Sequence, residues 1–292
     1  MHLGVLDRLR WRTERRIKTE PDIIQRAGES AEFRLGQYLR AAGKKRGWTV
    51  YESLRVPQKE GQHRGEIDFV LLHGSDVFAV EQKHWAGALE IGEEGEFIQH
   101  RPNGTTQVHG DIKTKHERKT ADLEHFLLQH HHAHDFGIHS WFVFTHPRFE
   151  YNATVDLGID IINQKEIVER LEQSVNKPRN EHVAASLDTL GTWDEIEVHG
   201  GRTYKGDVLD LGLSVLLSDA RALTHPHTLI EVSHKRSLLS LLTSSPSVAV
   251  LPASGNLRER LERHQIIRFH VVGDASPIDI PWARVTRVHL SN

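Results

Sequence analysis

The order of apolar and polar positions along the 292-residue chain predicts alternating helices and strands, then a run of strands alone. From about Asp22 to Ala42, Ile24, Ala27, Ala31, Leu35, Tyr38 and Leu39 recur every three or four residues, which predicts an amphipathic helix stopped by Gly43 and Gly47. WTVYESLRVP, IDFVLL and VFAVEQKHW follow as short β-rich runs, the last two joined by a Gly-Ser-Asp turn as a hairpin. GALEIGEEGEFIQHRPNG fits two more strands around glycine turns. Asp111 to Gln129 reads as a helix with Leu123, Phe126 and Leu127 on its apolar side, SWFVFTHP as a buried strand, VDLGIDIIN as a further strand, and Lys165 to Val175 as a helix. The expectation is an α/β domain, a mixed sheet flanked by helices. A short helix from Glu181 to Leu190 follows. After Trp193, helical periodicity gives way to short alternating runs between Gly-Gly, Lys-Gly-Asp and similar turns, with one helical insertion expected over Asn256–His264. That pattern predicts a small β-rich, barrel-like domain. The organisation read from the pattern is a basic arm or helix over 1–21, an α/β domain over 22–178 and a β-rich accessory domain over 179–292.

Composition narrows the classes. Lys plus Arg total 37 against 40 Asp plus Glu, a net charge of −3, which excludes a histone-like polycation. No run of about 18 apolar residues predicts a membrane span. The N-terminus lacks the apolar stretch of a signal peptide, and the chain has no cysteine, so disulfides and thiolate zinc sites are excluded and a cytoplasmic setting is expected. The 22 histidines are unusual. His130, His131, His132 and His134 cluster after a helix, but four such neighbours cannot all face one metal from a regular helix, and the tract is read as compositional.

The stretch GEIDFVLLHGSDVFAVEQKHWAG carries the chemistry. Asp68 opens one strand of the hairpin, and Glu81 and Lys83 end the other. Their spacing of two places Glu81 and Lys83 on one face. Two carboxylates buried together are costly unless a cation lies between them, and a hard divalent ion such as Mg²⁺ or Mn²⁺ suits oxygen donors. The ammonium of Lys83 can hold and polarise a water beside that ion and offset charge on a pentavalent phosphate. This combination points to phosphodiester hydrolysis. A further acid is available from the first helix, where Glu29 and Glu32 share a face.

The order GESAE on a helix, EID at 66–68, apolar VFAV, EQK at 81–83 and Gly87 in KHWAG resembles the PD-(D/E)xK nuclease superfamily, and within it the nuclease-related domain (NERD) family, over residues 24–145. The resemblance implies a restriction-endonuclease-like core, with Asp68, Glu81 and the backbone carbonyl of Gln82 as metal ligands, Lys83 as the catalytic lysine, and Glu32 rather than Glu29 as the helix acid. It implies a Mg²⁺- or Mn²⁺-dependent nuclease acting on DNA rather than RNA, in DNA processing or in antiviral defence against foreign DNA. Phe69 stands where the family often has His, Ala31 where the start motif has its second Gly, and Gln82 where Glu-x-Lys encloses an apolar residue. None of these departures removes a charge. The alternative is a non-catalytic nucleic-acid-binding or scaffold protein that retains the fold. Lys113, Lys115, Arg118 and Lys119 on the following helix alternate with acids, so they fit a phosphate backbone or a solvated face equally. Gln107 and His109 are weaker site candidates. In the β-rich domain Arg202, Lys205, Arg284 and Arg287 fit ordinary exposed strand positions, with nucleic-acid contact as the alternative. A second copy of the chain or a protein partner held by that domain is the other expected association, and no membrane is expected.

Overall fold

A computed structural model describes residues 23–57, 64–93, 95–110, 112–129, 135–151, 159–213, 227–234, 247–251, 257–262 and 264–291, with 23–29, 227 and 257 described by their backbone only. The basic stretch 1–21 and His130, His131, His132 and His134 lie outside the described residues. The described chain divides into two compact units, Ile23–Leu190 and Gly191–Asn292.

The first unit is a three-layer α/β assembly, as the alternation of patterns predicts. Helix α1 (Ile23–Gly43) leads into strands β1 (Trp48–Pro57), β2 (Arg64–His73) and β3 (Asp76–Lys83). Three short strands, β4 (Gly87–Ile91), β5 (Phe97–His100) and β6 (Thr106–His109), precede α2 (Ile112–Gln129). Then come β7 (Gly137–Phe144), β8 (Phe149–Tyr151), β9 (Asp160–Asn163), α3 (Gln164–Gln173) and α4 (Glu181–Leu187). The central sheet has the order β1-β2-β3-β7-β9, with β1, β2 and β3 antiparallel and β3, β7 and β9 parallel. A second sheet, β6-β5-β4-β8, stands beside it.

The central sheet is apolar on both faces because helices cover both. Leu35 and Leu39 of α1 and Ile167 and Leu171 of α3 pack on Phe69, Leu71, Val80 and Val143. Leu123, Phe126 and Leu127 of α2 and Val183, Ala184 and Leu187 of α4 pack on Val70, Leu72, Val77 and Ala79 from the other side. Helix α4 therefore completes the core of this unit, which runs to Leu190, whereas the residue pattern alone places a domain boundary at 178. The polar stretch SVNKPRNEH before α4, which reads as a linker or a surface crossing, is a crossing in which Asn180 caps α4 and its backbone N–H donates to the Gly74 carbonyl at 3.0 Å.

The second unit is one curled antiparallel sheet, an open half-barrel of order β14-β13-β12-β17-β10-β11-β15-β16. Its strands are β10 (Asp194–Val198), β11 (Thr203–Asp210), β12 (His227–His234), β13 (Ser247–Leu251), β14 (Leu257–Arg260), β15 (Ile266–Val271), β16 (Ile278–Pro281) and β17 (Val285–Ser291). Trp282, Phe269, Ile196 and Val288 fill its core, and the Trp282 indole N–H donates to the Leu211 carbonyl at 2.7 Å. The helix expected over Asn256–His264 is replaced by β14. Its charged sequence LRER has a helical composition, but the free edge of β13 supplies a ladder partner and Leu261 is fully buried in the core. Among the described residues no helix is long and apolar enough to cross a membrane.

Candidate active site

The site forms where the antiparallel hairpin of β2 and β3 opens. Their ladder runs from His73↔Asp76 to Phe69↔Val80 and stops there. Past that point β3 keeps its parallel partner β7 through Lys83↔Phe144, but among the described residues its other edge has no ladder partner. Asp68 fills the gap, its Oδ2 accepting the Gln82 backbone N–H at 2.7 Å. An extended residue sends its N–H and C=O to the same edge, so the Gln82 carbonyl leaves β3 on the Asp68 side.

A change of phase in β1 and β2 produces this aim. In β1, Val50 packs toward α1 and α3, whereas Leu54 and Val56 pack toward α2 and α4. In β2, Ile67 faces α2 and α4, whereas Phe69 faces α1 and α3. Residues an even number apart should share a face, so both strands contain one irregular residue. These are Ser53 and Asp68, which lie opposite each other between the pairs Glu52↔Phe69 and Leu54↔Ile67. Ser53 has φ +51°, a left-handed conformation that an L-residue adopts at a cost of about 1–2 kcal/mol. Its Oγ donates to Glu32 Oε1 of α1 at 3.0 Å. Glu32 thus reaches the site region through the irregular pair that turns Asp68 inward. The side chain of Glu29 lies outside the described residues.

Glu81 and Lys83 share a face of β3, as their spacing predicts. Lys83 Nζ donates to Glu81 Oε1 at 2.6 Å, and Lys119 Nζ of α2 donates to Glu81 Oε2 at 2.9 Å. Burial works against the Glu81 charge, but the two ammonium groups hold its carboxyl down at about 2. Asp68 shows the opposite balance. Burial, and then the negative charge of Glu81, push it up to about 8, with Glu66 adding to the effect against the pull of Lys83. Burial lowers the proton affinity of Lys83, yet Glu81 and Asp68 raise it on balance and keep it charged.

Helix α2 brings two residues that motif reading leaves unassigned. Lys119 stands among residues that fit a phosphate backbone or a solvated face equally, and His116 is not singled out. His116 is buried, donates from Nε2 to the Ala79 carbonyl at 3.2 Å, and sets Nδ1 3.7 Å from Glu81 Oε2 with no hydrogen-bond partner among the described residues. Burial lowers it to about 4, so it is neutral near pH 7. Its signal in the sequence is its spacing: His116, Thr120, Leu123 and Leu127 fall on one helical stripe, and all are buried. Lys115 and Arg118, off that stripe, are less buried than these.

The polar Gln82 inside Glu-x-Lys also has an explanation. Its side chain points away from Glu81, and Nε2 donates to Thr145 Oγ1 at 2.7 Å, so a buried amide is matched by a buried hydroxyl. Gly87 starts β4 at φ +98°, and a Cβ there would lie 2.0 Å from the His100 carbonyl oxygen. Only glycine fits where β4 meets the end of β5.

Residues 27–145 match the family model of the nuclease-related domain, NERD. That stretch is similar to a nuclease-related domain. The match spans α1 through β7, and therefore includes every strand and helix that frames Asp68, Glu81 and Lys83. No curated protein and no solved structure matches the chain. Within the NERD region a mixed sheet lies between helices and carries an acid, an acid and a lysine on two adjoining strands. Among the described residues no group of three or more His, Asp or Glu side chains is arranged to hold a metal ion. The oxygens that the open end of the hairpin offers are the Asp68 and Glu81 carboxylates and the Gln82 carbonyl. That set fits Mg²⁺, which is commonly held by one or two carboxylates with water and substrate phosphate completing its shell. The mutual repulsion that helps to push Asp68 to about 8 is what a divalent cation would relieve.

Proposed function

We propose that the NERD unit is a metal-dependent nuclease hydrolysing phosphodiester bonds of DNA, in DNA processing or in defence against foreign DNA. The supporting observation is the convergence of Asp68 and Glu81 at the open end of the β2–β3 hairpin, with the Lys83 ammonium bonded to Glu81. Asp68, Glu81 and the Gln82 carbonyl would hold Mg²⁺ or Mn²⁺, which when bound supplies a Lewis acid for a phosphoryl oxygen and an acidified water. Lys83 stays protonated between the two acids, where it can orient the attacking water and offset charge gathering on the phosphate. Lys119 supplies a second cation at Glu81 and balances the site when substrate is absent. Glu32 and Ser53 hold the irregular strand pair that directs Asp68.

A second reading, a nucleic-acid-binding protein without turnover, is favoured by one observation. Both Glu81 oxygens are engaged by lysines, so metal entry requires Glu81 to release one of them. The test is incubation of the full chain with linear, circular and single-stranded DNA, and with RNA, in Mg²⁺, Mn²⁺ or EDTA, alongside Lys83→Ala. Cleavage of DNA that requires metal and Lys83 is expected. Cleavage that persists in EDTA and in Lys83→Ala refutes the mechanism. DNA retention without cleavage under any metal selects the second reading.

A further inference from the structure

Beside the β3 terminus lies a concavity of about 610 Å³, in the range of small-ligand sites. His84, the residue after Lys83, forms one wall. The opposite wall is the β5–β6 hairpin, pinned by an Asx turn in which Asn103 Oδ1 accepts the Thr105 backbone N–H at 3.1 Å and its hydroxyl at 2.7 Å. Gln99 locks this hairpin to the chain leaving the site, its Nε2 donating to the Ala86 carbonyl at 2.9 Å. Arg101 and Arg148 line the concavity, and no carboxylate among the described residues does. Arg101 is oriented by two amides: Nη2 donates to Gln107 Oε1 and Nε to Gln99 Oε1 at 3.4 Å. Among the described residues only these two amides accept from its side chain, which leaves the remainder of its donor fork for a ligand. Trp85 stacks on His109 with ring centroids 4.0 Å apart, which adds an aromatic wall.

An acid-free concavity lined by two arginines, one with its guanidinium held in place, selects an anion with several acceptor oxygens. The aromatic wall adds surface for a base or sugar. We propose that this concavity, built around Arg101, Arg148, Gln107 and the Trp85–His109 pair, is a subsite that grips a backbone phosphate of the nucleic-acid strand next to the bond cut at Lys83. Its place in the reaction rests on the nuclease reading, but its affinity for the strand does not. The charge on Lys83 contributes, after burial and Arg101, to lowering the proton affinity of His109, which places the subsite within electrostatic reach of the catalytic lysine. Gln107 and His109, weak candidates by sequence, thereby gain a role as lining residues.

The test measures binding of a fluorescein-labelled single-stranded 12-mer to the full chain in EDTA, where no turnover occurs, by anisotropy across a salt series. Arg101→Ala/Arg148→Ala should weaken binding at least tenfold near 0.1 M salt and reduce the slope of log K against log salt by about 0.7 for each phosphate no longer neutralised. Arg148→Glu provides a second variant free of the Gln99–Gln107 network, so a folding defect at Arg101 cannot mask the result. It should weaken binding at least as much as loss of one arginine–phosphate pair would. If the wild-type chain cleaves DNA, both variants should raise KM and leave kcat within about twofold. Binding by both variants that equals wild type overturns the subsite, even if cleavage is intact, and so does a wild-type chain that retains no oligonucleotide. Arginine-dependent binding with no cleavage under any metal upholds the subsite and overturns the nuclease reading alone.

Discussion

Asp68→Asn isolates the electrostatic cost of the site. The folded protein holds the Asp68 proton far more tightly than the unfolded chain does, because the carboxyl rises from its ordinary 3.8 to about 8 through burial and the Glu81 charge. Between those values the unfolded chain releases a proton that the folded chain keeps. Wild-type stability without metal therefore falls as pH rises from about 4 to about 8, and is level beyond. At ~1.4 kcal/mol per unit the full rise would correspond to about 6 kcal/mol. The effective dielectric of partly wet protein sites is nearer about 20 than that of dry protein, which brings the expected difference to about 2–3 kcal/mol. Asparagine keeps an oxygen to accept the Gln82 N–H and carries no charge to bury. Asp68→Asn should match wild type near pH 4–5 and exceed it by about 5–10 °C in Tm at pH 8.5 in EDTA, at about 2–4 °C per kcal/mol for a domain of this size. Thermal melts at closely spaced pH values measure this directly. Adding Mn²⁺ at pH 8 should raise the wild-type Tm and leave the variant unchanged, since only wild type keeps both acidic donors. A variant less stable than wild type at pH 8, or a difference that does not change with pH, refutes the reasoning: the Asp68–Gln82 hydrogen bond would then outweigh the buried charge.

Three further outcomes follow from the geometry. Lys119→Met removes one of the two ammonium groups bonded to Glu81, one of which an entering cation would displace. The Mn²⁺ concentration giving half-maximal thermal stabilisation should fall several-fold, and an unchanged or higher midpoint contradicts this. Thr145→Val leaves the buried Gln82 Nε2 without its acceptor at a cost of about 1–3 kcal/mol, and adding Gln82→Leu should restore most of that loss. A denaturant double-mutant cycle showing additivity within about 0.5 kcal/mol refutes the coupling. Gly87→Ala combines a left-handed φ with a clash at the His100 carbonyl and should destabilise the unit by about 2–4 kcal/mol in urea unfolding, with a loss below about 0.5 kcal/mol showing that β4 and β5 separate freely.

Much of the site is legible in the chain because it rests on local spacing. Glu81 and Lys83 share a face by strand alternation, and nothing in the tertiary structure needs to be known to place them together. Asp68 is harder. Simple alternation puts it on the Val70 face, and only the paired irregularity at Ser53 and Asp68 turns it into the plane of the sheet toward Gln82. No residue in YESLR advertises a left-handed serine, since that conformation is imposed by the cross-strand partner and by Glu32 from α1. Gln82 stands out in the sequence as a polar intruder because its partner, Thr145, follows another strand. The helical composition of LRER is overridden by the β13 edge, which offers a ladder that an isolated segment would lack.

By itself the sequence determined the layered α/β plan, the switch to a β-rich second unit and the acid–acid–lysine order, because periodicity and short spacing are properties of neighbouring residues. Tertiary structure decided which groups surround Glu81. His116 and Lys119 reach it from α2, a helix whose face toward β3 is chosen by packing of Leu123 and Leu127. It also decided that α4 belongs to the first core, and that burial and the nearby Glu81 charge raise the proton affinity of Asp68. Burial and charge separation depend on distances through space, and residues far apart in the chain acquire such distances only when the sheet is assembled.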